Sequence, residues 1–238
     1  MAGDALVGQL SALQLADSAF PSGRYTLSYG LEAVAADGRF QEGDVAAFLS
    51  HLLGDSIRFA VAPSDGVALA CAHRAVGPDG TLDCDQVLRA DHRLTAVKLA
   101  KEGRDASIRT GRALLATSLA FNGAPAVRSW AERVRDRRTP GNHAIVLGLV
   151  TATIGVPRLT AVTGELYSFS SSWAAAAVRL GLVDHRGAQR LLHHVRPTSA
   201  AAARAAVEGD VEDISSCAPF LDVMSMRHEQ ADLRLFAS

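Results

Sequence analysis

Little in this chain of 238 residues advertises chemistry. It has 3 cysteines, Cys71, Cys84 and Cys217, an odd number at wide spacing, which suits a reducing compartment better than a disulfide framework. Lysine is confined to Lys98 and Lys101, so the positive charge is almost all Arg. The net charge of −1 removes any general attraction to nucleic acid or an anionic membrane. Aromatic residues reach only 5%, and the 48% hydrophobic content is mostly Ala, the best helix former. The first ten residues lack a basic stretch and are interrupted by Asp4, so no secretory signal is read there. The longest uncharged window, residues 139–157, has an apolar heart at 144–156 that is too short for a bilayer. A soluble, cytoplasmic protein without membrane or nucleic-acid partners is expected.

Catalytic signatures are missing as well. There is no Gly-x-Ser-x-Gly elbow, no Cys-Gly-Ser-Cys and no phosphate-binding Gly-x-x-x-x-Gly-Lys-Ser/Thr loop. Cys71 and His73 are two residues apart, and His193 and His194 are adjacent with His185 eight residues upstream of His193. None of these spacings places ligands on one helical face, so no metal site and no cofactor are expected. Glu212 and Asp213 read as solvated charges. The chain is not expected to be an enzyme.

What is present is helical periodicity. Leu6, Leu10 and Leu13 share a face; Val45, Phe48, Leu49, Leu52 and Leu53 form a stripe behind a possible N-cap at Asp44. Pro63 suits the first turn of a helix over residues 67–74. Further helices are read at 83–99, 104–119, 126–138, 142–154, 159–180, 184–195 and 198–209, with Asp83, Asp184 and Thr198 at or near their starts. The 142–154 segment is apolar nearly all round, as a buried central helix would be. No segment alternates with period two between turn signals. The expectation is all-α: a single compact bundle of about nine to ten helices over residues 1–209, followed by a partner-docking tail at 210–238.

Three stretches stand apart. Arg128, Arg133, Arg135, Arg137 and Arg138, diluted by Glu132 and Asp136, read either as a solvated face laced with charge pairs or as a docking patch for an acidic partner. Residues 17–32, DSAFPSGRYTLSYGLE, place Pro21 and Gly23 at a tight bend, flank the hydroxyls of Thr26 and Ser28 with Tyr25 and Tyr29, and bring Glu32 one turn after Ser28, which could cap a starting helix. The C-terminal stretch from Met224 carries Met226, Leu233, Leu235 and Phe236, an apolar load suited either to packing back or to ordering on a partner.

These residues carry a resemblance. LQLADS at 13–18, FPSGRYTLSYGLE at 20–32, RTGRALL at 109–115, the 143–155 helix, AAAAVRLG at 174–181, MRHE at 226–229 and RLFAS at 234–238 resemble the signature of the UreF family of urease accessory proteins. Arg24 departs from it, standing where many relatives carry a small residue. The resemblance implies a helical homodimer without a reaction of its own. It implies an adaptor that binds the UreD/UreH accessory protein, recruits the GTPase UreG and assists nickel insertion into apo-urease. Carried over, Ser28, Tyr29 and Glu32 become candidates for the GTPase-facing surface, and Arg227, His228, Glu229, Arg234 and Phe236 for the UreD/UreH-facing tail. Two other readings are a regulator of the GTPase, with Arg24 or Arg109 available as a finger, and, remotely, a helical ligand-binding regulator.

Overall fold

A computed structural model describes residues 2–24, 27–38 and 45–228, with side chains from residue 5 to residue 227. Tyr25, Thr26, the Asp44 cap, Glu229, Leu233, Arg234, Leu235, Phe236 and the side chain of His228 fall outside those residues. The described chain is all-α: α1 (Ala2–Ala16), α2 (Leu31–Ala36), α3 (Val45–Arg74), α4 (Cys84–Val97), α5 (Lys101–Ser118), α6 (Pro125–Arg135), α7 (His143–Thr153), α8 (Arg158–Arg179), α9 (His185–His194), α10 (Arg196–Ala206) and α11 (Pro219–His228).

The centre is α7. Its residues His143, Ala144, Ile145, Val146, Leu147, Gly148, Leu149, Val150 and Thr151 are all buried, as its unbroken apolar sequence requires. It packs against the C-terminal part of α3 and against α5, α6 and α8. Gly148 allows the closest approach: a Cβ there would stand 2.5 Å from the Leu69 carbonyl oxygen and 2.9 Å from the Ala72 Cβ.

The start of α7 is seated by Asp91. This carboxylate is fully buried on α4. It accepts from the Thr139 hydroxyl at 2.5 Å, the Gly141 N–H at 2.7 Å, the Asn142 N–H at 3.0 Å and the Asn142 side-chain amide at 2.7 Å. A buried carboxylate is tolerable only when donors replace its lost water, and here the chain entering α7 supplies them.

Two expectations need correction. Pro63 does not begin a helix. It lies inside one continuous helix of 30 residues, Val45–Arg74, whose middle, Ser56–Gly66, is wound as a π-helix. Proline removes one N–H from the helical ladder and leaves a gap there for an outside donor. The Cys217 N–H reaches the Phe59 carbonyl at 2.8 Å, and the Ser215 N–H reaches the Pro63 carbonyl at 3.1 Å. By length and composition this joined helix could cross a membrane, unlike the window at 144–156. Its Leu49, Leu53 and Ile57 are nevertheless fully buried, and its middle packs on α4, α8 and α10, as in a core helix.

The second correction concerns the chain after Gly209, which does not leave the helical body there. Arg74 donates to the Gly209 carbonyl at 2.7 Å, and Arg93 to the carbonyls of Glu212 and Ile214 at 3.0 and 3.1 Å. Val211, Ile214 and Met224 are buried in the core, each such side chain worth about 1.5–3 kcal/mol. Residues 219–228 then form α11, which packs on α2 and α5. The stitching runs through backbone carbonyls and arginines, a pattern with no helical period, and so was invisible to periodicity.

Asp91→Ala leaves the Thr139, Gly141 and Asn142 donors buried without an acceptor. It should cost about 3 kcal/mol or more, read as a lowered urea midpoint with an unchanged m-value.

Candidate functional site

The motif over residues 17–32 is built along α8, which touches it at three points and also holds Ala16 just before it. The Ser168 hydroxyl donates to the Ala16 carbonyl at 3.4 Å. Glu165 accepts from Arg24 at 2.5 Å. Phe169 meets Tyr29 edge to face, with ring centroids 4.8 Å apart. The Arg179 guanidinium reaches the Leu27 carbonyl at 3.4 Å. Glu165 sits in the buried stripe Ala161, Val162, Leu166, Phe169 of this helix, so a carboxylate facing the core was the one signal that a partner must arrive from elsewhere.

That partner is Arg24. Its side chain is 13% exposed against 4% for Glu165, and the same guanidinium nitrogen lies 3.1 Å from His143 Nε2. Burial is the strongest influence on Arg24 and opposes its charge, but Glu165 and the nearby Tyr29 hydroxyl together outweigh it and hold the guanidinium protonated. Burial pushes the Glu165 carboxyl up, with Arg24 pulling the other way. Burial first, and Arg24 second, drive His143 well below the usual imidazole range, so it is neutral. Arg24 is therefore spent inside the fold and cannot serve as a finger reaching into another protein.

These groups line a cavity of about 180 Å³ between α3, α5, α8 and α11. A second ion pair closes its other side: Lys98 donates to Asp65 at 2.6 Å, and Ser64 donates to the same carboxylate oxygen at 3.0 Å. The buried Tyr29 hydroxyl, His143 Nδ1 and Ser107 hydroxyl lack hydrogen-bond partners, and a cavity of this size beside such groups has room for bridging water. Of the three acids on its wall, Glu165 and Asp65 are ion-paired, with Arg24 and Lys98, whereas Asp222 of α11 lines it without a salt bridge to any described residue. Among the described residues, no three His, Cys, Asp or Glu side chains converge as a metal site would need.

The sequence-chosen residues land in different surroundings. Ser28 is fully buried and does not cap α2; the residue before that helix is Gly30, in the left-handed region at φ 78°. Tyr29 is also left-handed, φ 51°, a strained conformation for a residue with a Cβ, held by its contact with Phe169. Glu32 lies half-buried in the first turn of α2. Arg227 is exposed on α11, 3.5 Å from Asp37 just past the end of α2. Residues 28–37 and the described part of α11, about 190 residues apart in the chain, are thus in contact. Gly30 is the point of closest approach, where a Cβ would stand 2.7 Å from the Ser225 hydroxyl. Around this junction Phe48, Phe220, Val223 and Met226 are exposed, with Phe48 and Phe220 edge to face at 6.4 Å.

The UreF family profile matches residues 44–196 of this chain. The chain belongs to the UreF family of urease accessory proteins. It is 32% identical over 239 aligned residues to the urease accessory protein UreF of Trichodesmium erythraeum, covering 97% of each chain. It is 31% identical to the urease accessory protein UreF 2 of Brucella canis, over 97% of this chain and 92% of that one. It is 30% identical to the UreF of Yersinia pseudotuberculosis, over 95% and 96%. Members of this family are accessory proteins rather than catalytic enzymes.

His143 and Glu165 give the folded chain opposite pH dependences. The folded pKa of His143 lies below its unfolded value near 6.5. As pH falls through that value, the unfolded chain takes up a proton that the folded chain refuses, and stability drops. Glu165, raised above 4.5 in the fold, takes its proton earlier than the unfolded chain does and offsets part of this loss nearer that pH. Relative to a His143→Gln variant, the unfolding free energy of the unaltered protein should fall below pH 6.5 with a slope approaching about 1.4 kcal/mol per pH unit, measured by urea titration at successive pH values.

Proposed function

We propose that this chain is a cytoplasmic adaptor in urease maturation: a homodimer that binds the UreD/UreH accessory protein and the GTPase UreG, and helps deliver nickel, as cargo, into apo-urease. The observation that carries the reading is the junction of α2 with α11. It sets residues 28–37 of the N-terminal motif against α11, which carries Met226 and Arg227 of the C-terminal motif, beside exposed Phe48, Phe220 and Val223. Aromatic and methionine side chains left on a surface beside charged groups are what a protein-docking site presents.

On this face Glu32 is the residue offered to the GTPase, with Tyr29 and Ser28 acting beneath it by fixing the start of α2. Arg227 and His228, continuing into Glu229, Arg234 and Phe236, form the element offered to UreD/UreH. Because the two elements touch, one partner's arrival alters the surface the other sees, which gives a route for ordered assembly. Gating of the GTPase then follows from assembly order and needs no arginine supplied to its nucleotide.

Size-exclusion chromatography with light scattering tests the reading. The chain alone should run as a dimer and shift to a defined larger complex when mixed with its UreD/UreH counterpart. Removing residues 229–238 should abolish the shift without lowering the melting temperature, and Glu32→Ala should leave the shift intact while reducing UreG recruitment and urease activation. Complex formation unaffected by the truncation would remove the tail from the interface.

A further inference from the structure

The arginines between residues 128 and 138 have no place in the face just described. The structure puts Arg128, Arg135 and Arg137 along a groove between α5 and α6 that shares no lining residue with the α2–α11 junction. Along α5, Arg112, Leu115 and Leu119 follow each other at spacings of three and four and so share one side of the helix. They line the groove together with Arg128 and Val134 of α6 and with Arg137 beyond its end. Leu115 and Val134 are buried as its floor, whereas Leu119 is 39% exposed at the edge and Phe121, just beyond, 46%.

The charges along this groove are unbalanced. Glu132 is the single acid among its lining residues. Among the described residues, Arg112, Arg128 and Arg137 have no acidic partner within salt-bridge distance, and Glu132 pairs with none of its helical neighbours; Arg135 meets only Asp136, at 3.2 Å. The solvated ladder of charge pairs that the spacing allows is therefore not formed. A trough with an apolar floor and arginine walls is complementary to a helix with leucines on one face and carboxylates on either side of them. Guanidinium forks match carboxylates bidentately, and so favour such a partner over one carrying isolated negative charge.

We propose that the α5–α6 groove docks an acidic amphipathic helix of a partner protein. The leucines of that helix rest on Leu115, Leu119 and Val134, and its carboxylates pair with Arg112, Arg128 and Arg137. A second copy of this chain is a poor occupant: its exposed leucine-bearing helix, α1, carries no acid between residues 5 and 16.

Fluorescence polarisation of the full chain with a labelled acidic peptide tests this. The probe has about 16 residues, with leucines at helical spacing flanked by glutamates, long enough to form a helix on docking, and its control replaces each glutamate by lysine. The acidic peptide should bind, and binding should weaken about tenfold or more in an Arg112→Glu/Arg128→Glu variant, in Leu119→Asp, and on raising salt from about 50 to about 300 mM. Both variants change exposed side chains, so their melting temperatures should match that of the unaltered protein. No binding of the acidic peptide, equal binding of the lysine peptide, or indifference to both variants would overturn the proposal. So would tighter, arginine-dependent binding of a duplex oligonucleotide, or loss of a self-dimer in Leu119→Asp, which would assign the groove to nucleic acid or to a second copy.

Discussion

A guanidinium taken out of water must be given a counter-charge or the fold cannot keep it. Arg24 enters the protein from an irregular loop and finds Glu165 on α8 and His143 at the start of α7. Removing one member of such a buried pair typically costs about 3–5 kcal/mol, because the other is left charged and unsolvated. The pair therefore fixes where the loop can go. With Arg24 held, Tyr29 lies against Phe169, Gly30 takes its left-handed turn, and α2 starts where α11 can cover it. Asp91 provides the matching constraint from the other side, since it seats the residues that begin α7 and hence places His143.

Much of this was legible in the residues. Asp184 caps its helix as read, accepting from the Gly187 N–H, because a short acid before an amphipathic stripe has few other uses; Asp83, read only as the start of its helix, caps it in the same way through the Gln86 N–H. The all-apolar segment is the buried central helix. The rest failed for identifiable reasons. Pro63 was taken as a start because proline disfavours helix interiors, yet here the π-helical winding and the Ser215 and Cys217 amides absorb the lost bond. Thr198 lies within α10, which begins at Arg196. The segment after Gly209 is held by arginines and carbonyls that leave no periodic trace.

The site divides in the same way. Its residue types were visible, but the contacts that decide their roles join positions far apart in the chain, as with Arg24 and Glu165. In the sequence Arg24 stands out as a departure from a small residue in the UreF pattern and as a possible finger; in the fold it is the anchor of the motif. Ser28, chosen as surface, is interior. The one sequence-level hint of these networks was an acid in a buried stripe: Glu165 beside Leu166 and Phe169, and Asp91 among Val87, Ala90 and Leu94. Such an acid marks a place where distant chain must arrive with donors.

In the proposed role the protein works by contact, and that role rests on the packing of residues 28–37 against α11. Hydrogen–deuterium exchange of the full chain, alone and mixed with its UreD/UreH counterpart, measures that directly. Residues 28–37 and 219–228 should gain protection together on complex formation. Protection of one segment without the other, or of neither, would contradict the single composite face.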